Sequence, residues 1–254
     1  MSFRKSIRLA AARVLAVLSL LSSGSAAAEE ATRPRQIRIV LAGDSTVTDN
    51  AGWGGGFAAL LRNSECVNLS KGGRSSKSFI ADGSWKKALD LKPDYVLIQF
   101  GHNDQPGHGD RETDPETTYR QYMNQYVDEA RGAGIKPVLV TSLSRRQWGP
   151  DGMIHSTLTP YAEVVKQIAF EKKVPLIDLH ALSIDFYQKE GREKILEISP
   201  IKNADAGSAD SDTTAVSRKS IDGTHLNAKG GPIIGAMVAG ELKKAVPDLA
   251  PLIP

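Results

Sequence analysis

The segment Asp94-Tyr95-Val96-Leu97-Ile98-Gln99-Phe100 is an almost unbroken apolar run with β-branched residues at its centre. A strand with one face in water alternates apolar and polar residues. This one has no wet face, so it belongs in a sheet covered on both sides. Residues 37–42, 67–69, 137–141 and 175–179 share that character and read as further strands. Between them lie stretches with helical spacing. These are 53–62, with Phe57, Leu60 and Leu61 apolar, 84–91, ended by Pro93, and 119–131, closed by Gly132 and Gly134. A further helix is read over 159–173, with Thr159 as N-cap before Pro160, and a last one over 228–244. Strands alternating with helices specify a three-layer α/β/α domain around a doubly wound, five-stranded parallel sheet of flavodoxin-like type. Residues 203–220 are small, polar and aperiodic, and read as a surface loop.

The first 28 residues do not belong to that pattern. Arg4, Lys5, Arg8 and Arg13 precede a short apolar run, residues 14–21, which leads into Ala26-Ala27-Ala28. A basic region, a short apolar region and a small-residue site form the plan of a secretory signal peptide. The run is too short to span a bilayer as a helix. Cleavage after Ala28 is expected, leaving residues 29–254 as one exported domain, secreted or periplasmic. The whole chain carries a formal charge of +3, from 32 Lys and Arg against 29 Asp and Glu. The leader holds four of those cations and no acid, so the mature chain has a net charge of −1. The basic character leaves with the leader, and with it any case for a nucleic-acid partner or a membrane surface. The single cysteine, Cys66, excludes an internal disulfide and reads as a small buried hydrophobe opening a strand.

In an open parallel sheet, ligands sit beyond the carboxyl ends of the strands. Gly43-Asp44-Ser45-Thr46 follows the first strand, and Lys71-Gly72-Gly73-Arg74-Ser75-Ser76 follows the second. Gly101-His102-Asn103-Asp104 follows the third, and Asp222-Gly223-Thr224-His225 stands just before the last helix. A serine hydrolase needs a hydroxyl, a base, a group that orients the base, and donors for the oxyanion. Ser45, His225 and Asp222 are the candidates for the first three. The N–H groups of Ser45 and Gly73 and the Asn103 amide are the candidate oxyanion donors. Asp44 adjoins the nucleophile, but its short carboxylate is expected to brace its own turn.

These blocks, in this order, resemble the SGNH (GDSL) hydrolases. The finer resemblance is to the rhamnogalacturonan acetylesterase group. It rests on Gly43–Thr46, Gly52-Trp53-Gly54, Gly73 through Ser78, Phe100 through Asp104 and Asp222 through Leu226, and spans about residues 37–245. It implies a serine esterase acting on acetylated pectic polysaccharide or oligosaccharide; separately, no cofactor or metal is expected, and the chain is expected to be a monomer. A Gly-x-Ser-x-Gly elbow is absent, so the α/β-hydrolase family is not the match.

Arg74, His102 and Trp148 are the expected substrate contacts, with Lys77, Arg145 and Arg146 as further cations at the mouth for an acidic galacturonan. Two rival readings stand beside this one. A lipase, thioesterase or short-chain esterase of the same superfamily would want an apolar cleft, where these loops carry Arg, Lys, Asp, His and Gly. Metal-dependent hydrolysis would use His102, Asp104, His108 and Asp110, which cluster within nine residues.

Overall fold

The structure, a computed structural model, describes residues 36–202 and 220–254. The expected leader and the body of the polar stretch, 203–219, lie outside the described residues.

Five parallel strands form the sheet: β1 (Ile37–Gly43), β2 (Ser64–Asn68), β3 (Tyr95–Gln99), β4 (Lys136–Val140) and β5 (Leu176–Ile177). Their order is β2-β1-β3-β4-β5, and every pair is parallel. The expected α/β architecture is thus observed. Strand order reverses between β1 and β3, so the loops leaving these two strands diverge and open a crevice at their carboxyl ends.

The pleat sends successive side chains to opposite faces. Ile39, Leu41, Leu97, Val138 and Val140 pack on one face, and Val40, Ala42, Val96, Ile98 and Leu139 on the other. The first face is covered by α1 (Gly54–Ala58), α6 (Leu179–Glu190), α7 (Arg192–Leu196) and α8 (Gly230–Ala245). The second is covered by α2 (Ser76–Ala81), α3 (Ser84–Asp90), α4 (Arg120–Gly132) and α5 (Thr159–Lys172). Residues 95–99 are buried throughout, as a central strand with two covered faces must be.

Several boundaries differ from the sequence reading. The helix expected over 53–62 stops at Ala58, because the chain turns there and Arg62 N donates to Leu252 O at 2.8 Å. Thr159 is the first residue of α5 rather than its cap. Leu158 holds the cap position, and the Thr159 hydroxyl donates to Ser156 O at 2.9 Å. Strand β5 ends at Ile177 because Asp178 turns to cap α6. Helix α2 starts in a capping box between Ser75 and Ser78, a signal the apolar periodicity did not carry. Two short strands, β6 (Ile201–Lys202) and β7 (Ser220–Ile221), pair antiparallel and bracket residues 203–219. Cys66 is partly buried in β2, and burial pushes its thiol up to about 12.

Candidate active site

Four loops meet at the carboxyl edge of the sheet. The first is a tight turn after β1. Gly43 is required there, since a Cβ would stand 2.8 Å from Gln99 O. Asp44 Oδ1 accepts from Thr46 N at 2.8 Å and from the Thr46 hydroxyl at 2.7 Å. Gln99 donates to Thr46 Oγ1 at 2.7 Å and accepts from the Trp53 indole at 2.9 Å. This buried chain fixes the turn that presents Ser45. Asp44 therefore braces the loop, the arrangement expected for a short acid next to a turn.

Ser45 Oγ lies 2.8 Å from His225 Nε2, and His225 Nδ1 lies 2.8 Å from Asp222 Oδ2. Asp222 Oδ1 accepts the backbone N–H groups of Thr224 at 2.8 Å and His225 at 3.1 Å. An ionised carboxylate only accepts, so Nδ1 carries the imidazole proton and Nε2 is left to accept from Ser45. Asp222 is buried, while the His225 side chain keeps about a third of its surface exposed. A hydroxyl, a base and a buried acid thus stand in one hydrogen-bonded line.

The loop after β2 is pinned by Lys71 N donating to Gly43 O at 3.0 Å, and it carries Gly72 beside the Ser45 Cβ. Gly73 has φ +73°, a left-handed conformation suited to glycine. Among the described residues, the N–H groups of Ser45 and Gly73 have no protein acceptor. From the loop after β3, Asn103 donates its amide to Arg74 O at 3.0 Å. The structure therefore gathers the candidate nucleophile, base, acid and oxyanion donors at one end of the sheet. A groove of about 580 Å³ is lined by Asp49, Asn50, Gly52, Asn227 and Gly231 among others, and neither Ser45 nor His225 lines it.

The expected substrate contacts divide. Arg74 is half-exposed and pairs with Asp82 at 2.7 Å, and Trp148 is partly buried against the core with a bridge to Ile154. His102 is buried, and its Nδ1 lies 3.3 Å from Asp44 Oδ2. Its Nε2 is buried without a hydrogen-bond partner among the described residues, so the ring offers little surface for the substrate contact expected of it. Burial raises the Asp44 pKa, but His102 and the Thr46 bonds outweigh it and hold the carboxyl below its usual range. Arg145 is half-buried and bonded to Gln105. Lys77 is partly exposed on α2.

Arg146 is the larger correction. It is buried, not a cation at the mouth. Its guanidinium donates to Asp222 O at 3.2 Å, to His225 O, and to the Ser199 hydroxyl at 2.7 Å. Its own N–H donates to Gly223 O at 2.8 Å. The loop that carries the candidate acid and base is thus clamped from below by one residue. A lone Arg-Arg pair in sequence gives no sign of which member turns inward.

The metal reading is not assembled. Asp104 accepts from Ser76 and Thr113, His102 faces Asp44, and His108 faces Arg111. Among the described residues, no three such groups gather around one point.

Known proteins define the class. The model of the GDSL-like Lipase/Acylhydrolase family matches residues 41–231. The chain belongs to that family, and it is an esterase. Its similarity to individual members is narrower. It is 40% identical over 170 residues to the rhamnogalacturonan acetylesterase RhgT of Bacillus subtilis, covering 63% of this chain and 72% of that one. It is 26% identical over 223 residues to a rhamnogalacturonan acetylesterase of Emericella nidulans, covering 77% and 80%. Among solved structures, YxiM of Bacillus subtilis superposes with a TM-score of 0.67 at 24% identity, over 83% of this chain and 57% of that one. A mutant of Axe2, an acetyl-xylooligosaccharide esterase of Geobacillus stearothermophilus, gives 0.58 at 18% identity, over 81% and 94%. These two structural likenesses speak for the fold.

Proposed function

We propose that the chain is an exported carbohydrate O-acetyl esterase that removes acetyl groups from rhamnogalacturonan-type pectic polysaccharide through an acyl-enzyme on Ser45. The observation that carries the reaction is the unbroken line Ser45–His225–Asp222. The relatives named as rhamnogalacturonan acetylesterases supply the substrate class. The leader-like N-terminus, with its basic, apolar and small-residue regions, supports export to where such polymers are met.

His225 Nε2 takes the Ser45 proton as Oγ attacks the acetyl carbonyl. The oxyanion is held by the N–H groups of Ser45 and Gly73 and the Asn103 amide. The carbon–oxygen bond to the sugar breaks, and His225 returns the proton to the departing alcohol. Water, deprotonated by His225, then attacks the acetyl-enzyme and frees acetate and Ser45. Asp222 keeps the imidazole in the tautomer that both steps need.

Acetate release from acetylated rhamnogalacturonan and acetylated xylan, together with p-nitrophenol release from short- and long-chain p-nitrophenyl esters, tests the reading. Fastest turnover is expected on the acetylated pectic polymer, with little on the long-chain ester. Preference for the long-chain ester would assign the chain to the lipase side of the family. Sequencing the N-terminus of protein exported by a secreting host tests the leader: a start near Glu29 is expected, and retention of Met1 would contradict it.

A further inference from the structure

Arg111 was not among the residues singled out by sequence. It sits on a 3-10 turn (Gly109–Arg111) after the Asn103 loop and is partly buried. Its Nη1 donates to Gly73 O at 3.0 Å and to Asn103 Oδ1 at 3.3 Å. Its Nε donates to His108 O at 3.2 Å, and Nη2 lies 3.3 Å from His108 Nδ1. The guanidinium stands so close to Gly73 that a Cβ there would be 3.2 Å from Nη1. Both Nη1 hydrogens are committed inside the protein, to the two loops that carry candidate oxyanion donors.

We propose that Arg111 is a positioning residue that sets the oxyanion hole, on the acyl-transfer reading above. Its first task is to orient the Asn103 amide. An amide can turn over, presenting oxygen where nitrogen stood, and an oxygen facing a developing oxyanion repels it. Arg111 holds Oδ1, and Arg74 O takes one hydrogen of Nδ2, which keeps the amide from turning over and leaves the second Nδ2 hydrogen for the oxyanion. Its second task is to lock the left-handed Gly73 by its carbonyl, which keeps the Gly73 N–H at a constant angle to Ser45. Its charge also stays against both donor residues, in the place where negative charge develops. His108 supports this arrangement. Burial and the nearby Arg111 cation lower the His108 pKa, so the ring stays neutral and Nδ1 remains an acceptor for Nη2.

Steady-state hydrolysis of p-nitrophenyl acetate by the whole chain tests the proposal. Arg111→Met is expected to lower kcat by about 10²-fold with KM changed by less than about threefold, the pattern of an interaction made in the transition state. Asn103→Ala is expected to make most of that loss redundant. In the double variant, the further loss from Arg111→Met shrinks to below about tenfold, because the residue acts largely through Asn103. Added guanidinium is expected to restore part of the Arg111→Met rate. Folding is followed by circular dichroism. Should Arg111→Met not fold, Arg111→Lys carries the test, since an ammonium keeps the charge but not the rigid fork. Parent-level kcat in a folded Arg111 variant, or losses that multiply in full with those of Asn103→Ala, would overturn the proposal. Ser45→Ala is run alongside. Its full activity sinks the acyl-transfer reading itself, whereas its inactivity beside an unaffected Arg111 variant sinks only the role of Arg111.

Discussion

Asp222 holds His225 from two sides, with Oδ2 at 2.8 Å from the ring Nδ1 and Oδ1 at 3.1 Å from the backbone N–H. Asp44 has a different histidine, with Oδ2 at 3.3 Å from His102 Nδ1. Asp44 adjoins Ser45 in the chain, but only Asp222 is in line with its base. Asp222→Asn puts an amide donor against the Nδ1 proton and favours the wrong tautomer, so kcat is expected to fall by about 10⁴. Asp44→Asn leaves the line intact and weakens the turn, so its loss in kcat is expected to be at least tenfold smaller. Esterase kinetics of the two variants decide the matter. A larger loss for Asp44→Asn would move the acid to that residue.

The clamp by Arg146 predicts a stability effect rather than a change in substrate charge preference. Arg146→Met removes the buried guanidinium that donates to the carbonyls of Asp222 and His225 and to the Ser199 hydroxyl. It is expected to destabilise by about 3 kcal/mol, with Arg146→Lys recovering only part. Urea unfolding measures it. Unchanged stability, together with weaker binding of acidic glycans, would return Arg146 to the mouth.

Asp104 gives the fold a pH dependence. Burial lifts its carboxyl to about 6 against the pull of the Ser76 and Thr113 hydrogen bonds, starting from an ordinary 3.8. The folded state therefore holds this proton more tightly than the unfolded chain does. The stability from that proton is complete below about pH 4 and is lost as pH rises through 6, a share of up to about 3 kcal/mol. Asp44, held below its usual range, acts in the opposite sense, losing its share of stability as pH falls. The comparison is thus between parent and Asp104→Asn. The stability difference between the two is expected to move in favour of the variant from pH 4 to pH 7, read by denaturant unfolding. A difference that does not vary with pH would refute it.

Helix α8 carries two glycines with opposite demands. A Cβ on Gly235 would stand 2.4 Å from Phe57 N and 2.5 Å from Gly56 C, both backbone atoms of α1. A Cβ on Gly240 would meet nothing within 4 Å. Gly235→Ala is expected to cost about 2–3 kcal/mol by forcing the helices apart, and Gly240→Ala to gain about 0.5–1 kcal/mol of helix propensity. Thermal unfolding of the pair checks the signs. Two shifts of the same sign would contradict the close crossing.

What the sequence revealed follows from what was local. The apolar run through Tyr95–Gln99 depends on neighbours in the chain, and so the sheet was legible, whereas Ser45 and His225, 180 residues apart, were joined as candidates by the place of their blocks at strand ends and by the family resemblance. The roles of Arg111 and Arg146 depend on partners 38 and 79 residues away, at Gly73 and His225, and no spacing rule links them. His102 reads from the sequence as a substrate contact, yet it is buried with its Nδ1 3.3 Å from the Asp44 carboxylate, a pairing no spacing rule announces. The short helix Gly54–Ala58 was overextended because Leu60 and Leu61 keep helical spacing while packing from a turn.

The most direct test of the central claim is capture of the acetyl-enzyme. The whole chain is mixed with excess acetylated substrate, quenched in acid within the first turnovers, digested and mapped by mass spectrometry. The account predicts one acetyl group on the peptide bearing Ser45 in the parent, and none in Ser45→Ala, which releases no acetate. Steady acetate release by Ser45→Ala at the parent rate, with the Ser45 peptide of the parent unmodified, would contradict it.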